Sequence, residues 1–230
     1  MRFVANVLGI ALLAMASAGL AAEFDVGRVT LRLTEEGWES VGTGGDELPL
    51  SGNPSGAIEV AKRSLLLVDS GNRFRAALVV SATRGVRTLH VPWPDDCRSQ
   101  DNLYAIDARS RSGDVRDCLR VTGPASIGES LITDAPVVAS ALAVRRTPAP
   151  MAGYVVLDEV ALDNGAFVTV EALIAADVEL PGGAEAQPGV PAGINAQVVA
   201  WALRLAEAAR SSTHSLSGLL VVPAVTAKAH

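Results

Sequence analysis

Lysine is almost absent from this chain. Lys62 and Lys228 are its only two, so arginine supplies nearly all the positive charge. Against 19 Lys and Arg stand 25 Asp and Glu, for a formal net charge of −6. This balance lacks the positive field that general nucleic-acid binding requires. It also disfavours an anionic lipid surface as partner. Histidine is scarce, and His90, His214 and His230 do not follow the short spacing of a zinc site. Aromatic residues make up 4% of the chain, so its 49% hydrophobic content must build a core from Val, Leu, Ala and Ile. There is no Gly-x-Ser-x-Gly elbow, no Walker or Rossmann glycine pattern and no Cys-x-x-Cys. No cofactor is expected. Past the N-terminus no long apolar run occurs, so no membrane-spanning segment is expected in the mature chain.

The N-terminus is distinctive. Arg2 precedes an apolar stretch from Val7 to Met15, and small residues then crowd positions 16–22. A membrane span needs about 20 apolar residues, and this stretch is shorter. The pattern is that of a cleaved Sec-type secretory signal. Cleavage after Ala21 would leave residues 22–230 as a single exported domain, with possible sub-lobes 22–123 and 124–230. Abundant alanine and arginine with little lysine suggest a bacterium with a GC-rich genome, which makes the location periplasmic or secreted.

An exported chain meets oxidising conditions, in which two cysteines usually pair. Between Cys97 and Cys118, Leu103 to Ala108 and Val115 to Val121 alternate as strands around an Arg-Ser-Arg-Ser-Gly-Asp turn. Folding that hairpin brings Cys97 to Cys118, so a bracing disulfide is expected.

The remaining pattern is mostly strand. Val29, Leu31 and Leu33 alternate with polar residues. Residues 41–55 are rich in Gly, Pro, Ser and acids and read as a loop. Ala57 to Val68 and Arg73 to Ser81 form a hairpin around Asp69-Ser70-Gly71-Asn72. Asp134 before Pro136 fits the cap of a helix running to Arg146. Tyr154 to Leu162 and Ala166 to Ala176 flank Asn164-Gly165, the strongest short hairpin signal. Glu179 to Gly193 reads as an exposed loop. Ile194 to Arg210 carries an apolar stripe through Val198, Trp201 and Leu205, and Gly218 to Val222 reads as a last strand. The expected class is α+β: a mostly antiparallel sheet built from hairpins, with a C-terminal amphipathic helix packed on one face.

Several residues are candidates for chemistry. Leu65-Leu66-Leu67-Val68-Asp69-Ser70-Gly71 resembles the Asp-Ser-Gly signature of aspartic proteases, which implies Asp69 as a catalytic carboxylate sharing a proton with a second one. Asn72 departs from that pattern, and Arg73 and Arg75 would hold Asp69 ionised. A two-residue turn at Asn164-Gly165 would set Asp158 opposite Glu171. Those like charges would call for a cation, a shared proton or an arginine. A three-residue loop would set Leu157 there instead. Arg73, Arg75, Arg84 and Arg87 cluster in sequence and suit a carboxylate, a phosphate or an acidic partner face. Trp38 and Trp93 would mark a contact surface if exposed.

The expected function is a non-enzymatic binding or accessory module of the cell envelope, whose partner is an envelope protein or a small ligand. Residues 41–55 and 179–193 are its expected contact regions. The alternatives are a hydrolase using Asp69, Asp158 and Glu171, or an envelope assembly subunit pairing through an open sheet edge.

Overall fold

The computed structural model describes residues 22–50, 53–85, 91, 93, 97, 103–107, 115–128, 131, 135–181, 189–215 and 217–226. The signal-like segment, Arg87, His90, Asp134, His230 and the 109–114 turn lie outside these residues.

Strand outweighs helix, and the architecture is broadly α+β. The chain-order strands are β1 (Glu23–Val26), β2 (Val29–Leu33), β3 (Trp38–Leu50), β4 (Asn53–Val68) and β5 (Phe74–Thr83). They continue as β6 (Leu103–Asp107), β7 (Arg116–Ala125), β8 (Gly153–Ala161), β9 (Phe167–Ala175) and β10 (Leu219–Val222). Among the described residues the helices are α1 (Pro136–Arg145) and α2 (Ala196–His214). A seven-stranded antiparallel sheet runs β3-β4-β5-β9-β8-β7-β6, and a three-stranded sheet runs β1-β2-β10. In the larger sheet β5 pairs with β9, so strands from both halves of the chain share it. In the smaller, β10 pairs with β2 in parallel, the single parallel pairing among the described strands.

Residues 41–55, expected as a loop, instead supply most of a long hairpin. β3 and β4 pair from Trp38↔Leu67 out to Leu50↔Asn53. β5 stops at Thr83, opposite Val60, so the end of this hairpin overhangs the sheet as a two-stranded ribbon. Gly, Asp, Glu and Pro are tolerated in β3 because it is an edge strand, with one side of its backbone unpaired. The ribbon keeps one apolar spot: Ile58 and Val60 are buried with Val91, and Leu48 and Trp93 pack on them.

The main core is aliphatic, as the composition requires. Leu31, Leu33, Leu65, Leu78, Val170 and Leu205 are all fully buried in it. Along one face of the sheet Leu78, Val80, Val156 and Val170 alternate inward, as the two-residue period of a strand demands. α2 lies against β7, β8, β9 and β10. Its Trp201 is completely buried, and the indole N–H donates to the carbonyls of Pro223 (3.3 Å) and Ala224 (3.0 Å). A buried indole N–H left alone would be costly, so these bonds make the site usable for tryptophan. The helix begins where Asn195 accepts from the Gln197 N–H at 2.8 Å, the ordinary capping contact. Asn195→Ala should lower unfolding stability by about 1 kcal/mol, read from the urea midpoint. α1 has no such cap: Ala135 occupies that position without a side-chain bond. Its C-terminus is tied down instead, by Arg145 to Glu39 and by Thr147 to Asn72 at 2.6 Å.

Trp38 is buried, and Trp93 stacks on Phe167 at 5.4 Å while donating to the Leu162 carbonyl. Neither serves as an exposed contact residue.

Candidate functional site

The carboxylates singled out from the sequence occupy three separate environments. Asp69 closes the β4–β5 turn. Its carboxylate accepts the backbone N–H groups of Gly71 (2.9 Å) and Arg73 (3.0 Å) and the Arg73 Nε at 2.7 Å. The Arg73 side chain first, and then the backbone donors, hold its pKa below the usual carboxylate value. An acid so committed to donors remains ionised and does not share a proton with a second carboxylate. The Asp-Ser-Gly sequence therefore acts as turn chemistry here. Asn72, at φ 58°, completes the turn, and its side-chain N–H donates to the Arg145 carbonyl at the end of α1 at 3.4 Å.

Asp158 and Glu171 are not opposed. Leu162 and Ala166 pair, leaving Asp163-Asn164-Gly165 as a three-residue loop with Gly165 at φ 79°. The register then sets Leu157 opposite Glu171 and Asp158 opposite Val170. Alternation puts the two acids on opposite faces of the sheet. Asp158 is fully buried, and neither carboxylate oxygen has a hydrogen-bond partner among the described residues. Burial, reinforced by the neighbouring Asp117 charge, raises its pKa to about 8, while Arg210 pulls the other way. Asp117 itself is paired with Arg210 from α2, at 2.5 and 3.1 Å. On the opposite face Glu159 accepts Arg116 and Arg120, each at 2.6 Å.

The arginine cluster is also dispersed. Arg73 pairs with Asp69 at 2.7 Å and Arg75 with Asp177 at 3.5 Å. Arg84 follows the far end of β5, ten residues of strand away. At roughly 3.3 Å per residue that is a separation of about 30 Å. Cys97 and Cys118 are joined as a disulfide, with Cα atoms 5.6 Å apart, beside the β6–β7 hairpin.

What the sequence did not reveal is a cleft at the Arg84 end. It lies between the β1–β2 turn and the β3–β4 ribbon and has a volume of about 610 Å³. Asp25 and Gly27 form one wall, Thr43 and Gly44 another, and Arg63 and Arg84 project from β4 and from the end of β5. The β1–β2 wall is fixed in place. Arg28 N–H donates to the Thr83 carbonyl at 3.0 Å. Gly27, at φ 58°, turns so close to Thr83 that a Cβ would sit 2.5 Å from the same oxygen. Glycine is required there for both reasons. Arg63 is equally fixed: its Nε donates to the Asp25 carbonyl at 3.2 Å, its Nη1 donates to Ser40 Oγ at 3.0 Å, and the guanidinium lies 5.2 Å from the Phe24 ring centroid. Sequence could not have joined these groups, since the pairing of β1–β2 against the end of β5 is set by tertiary packing.

No protein-family model matches the chain, and comparison with curated proteins and with solved structures finds no match either. Any functional reading therefore rests on the geometry of the site.

Proposed function

We propose that residues 22–230 form a single exported domain, periplasmic or secreted, that acts as a non-enzymatic binding module of the cell envelope. The observation that carries this reading is the 610 Å³ cleft, into which polar groups from four strand segments converge. Its size falls in the range of small-molecule sites, roughly 300–1,000 Å³. It stands on paired strands rather than on free loops, which suits preformed recognition. In this reading the terminal helix is permanent cover over β7, β8 and β9. The disulfide fits a protein exposed to oxidising conditions, and no helix among the described residues is long and apolar enough to cross a membrane. Thr43 and Gly44, within the contact region expected at residues 41–55, line the cleft as strand residues.

The test is native mass spectrometry of the mature protein purified gently from its own cells' envelope fraction. Thr43 is exposed and pairs with Arg63 across the strands, so Thr43→Trp should fill the cleft without touching the core. A stable added mass on the wild-type protein, lost in the folded variant, is the expected result. A bare wild-type chain, or a mass retained by Thr43→Trp, would overturn the reading.

A further inference from the structure

We infer that the cleft binds a small organic anion through a phosphate or carboxylate group held between Arg63 and Arg84, an inference that rests on the binding-module reading above. Its basis is local charge set against the whole. The chain is net negative by 6, yet the cleft is lined by Arg63 and Arg84 against the single carboxylate of Asp25. That carboxylate already accepts the Thr30 hydroxyl at 3.1 Å.

The two guanidiniums differ in a useful way. Arg63 is oriented by the Asp25 carbonyl, Ser40 and the Phe24 ring, which use its Nε and Nη1 and leave Nη2 for a ligand. Arg84 makes no ion pair or side-chain hydrogen bond among the described residues, although Glu47 and Glu59 lie further along the same ribbon. Its Nη2 lies 3.0 Å from where a Cβ on Gly45 would stand, so the glycine leaves room for the guanidinium at the cleft. One fixed planar donor fork, and a second with no partner among the described residues, match the oxygens of a phosphate or carboxylate. Arginine is common in this chain, but among the other arginines with a described side-chain partner only Arg204 meets a carbonyl, that of Pro181, and the rest face acids, as Arg73 does Asp69, Arg145 Glu39 and Arg210 Asp117. Free inorganic phosphate would fill little of 610 Å³, so the ligand should carry an organic body as well.

The experiment is calorimetric titration of the mature protein at low ionic strength with four probes: inorganic phosphate, glucose 6-phosphate, citrate and glucose. At least one of the two organic anions should saturate the protein with a Kd of about 1 mM or tighter, and glucose should not. Arg84→Gln, checked for an unchanged melting temperature, should weaken that binding by about tenfold or more, and added salt should weaken it in the wild type. Preference for glucose 6-phosphate over citrate would assign the anion as a phosphate ester; the reverse would assign a carboxylate. Failure of both organic anions to bind, equal binding to Arg84→Gln, or glucose binding as well as its phosphate would overturn the inference. If neither organic anion binds while the Thr43→Trp variant still loses a mass carried by the wild type, the ligand is not an anion of this kind and the binding-module reading stands. If the wild type carries no mass either, both fall.

Discussion

Asp158→Asn should make the protein more stable at neutral and mildly alkaline pH, with a gain that grows as pH rises. The buried carboxyl has a folded pKa of about 8 against an ordinary 3.8. The folded state therefore keeps a proton that the unfolded chain gives up near pH 4. Wherever the folded state binds the extra proton, unfolding free energy falls as pH increases. The stabilising condition is thus fully present below pH 4 and is lost progressively between about pH 4 and 8. Each unit in that window costs up to about 1.4 kcal/mol, which by pH 7 is on the order of 4 kcal/mol. An asparagine resembles the neutral acid in shape and in unmet hydrogen bonding, so both forms should be similarly stable at pH 4. They should diverge towards pH 8. Urea unfolding of both proteins across this range measures the difference directly. Parallel pH curves would show that Asp158 finds water or a partner in the folded state. Asp117 and Arg210 are the charged groups on the adjoining elements that act on it most, with Glu159 a smaller influence. Removing Arg210 should deepen the pH dependence, because its charge favours the ionised acid.

The second large effect is at the disulfide. Replacing Cys97 and Cys118 together by serine should lower stability by about 3 kcal/mol, the chain-entropy value for a loop closed across 21 residues. Total stabilities of single domains are commonly about 5–15 kcal/mol, so the loss is a large fraction. Its location should be uneven. β6 is one of the two edge strands, bonded among the described strands to β7 alone, and Cys97 sits where its sulfur contacts the Ile106 carbonyl. Hydrogen exchange should therefore quicken first in residues 103–107. Amides of β5 and β9, interior to the sheet, should be little changed until global unfolding. Equal exposure of edge and centre would mean that the bridge contributes to the whole fold at once.

These two sites also mark what the sequence could and could not convey. The Asn164-Gly165 hairpin, the strands around the cysteines and the apolar stripe of α2 are local patterns, and each appears close to where it was expected. The exact loop length at residues 163–165 was not fixed by local chemistry, since Asp, Asn and Gly suit either turn. That one-residue difference decides whether Asp158 meets Glu171 or Val170. The β3–β4 ribbon was illegible for another reason. Its glycines and acids carry a loop composition, and only the edge position makes them acceptable in a strand. The arginines misled because nearness in sequence is not nearness along a strand: β5 carries Arg75 and Arg84 to opposite ends of the sheet. Arg63, from the neighbouring strand, is what Arg84 shares its cleft with.

The parallel pairing of β10 with β2 sets an order of events. Thr34 and Val222 share a hydrogen bond across 188 residues of chain. β2 can pair with β1 early, but its other edge waits for a partner made almost at the end of synthesis. Such distant contacts are slow to form, because a long loop must close before they give any return. A ribosome delivering this chain from its N-terminus would leave Leu31 and Leu33 without their final neighbours until residues 219–222 emerge. A late-closing fold stays threadable for as long as that strand is missing, which would suit the export proposed above.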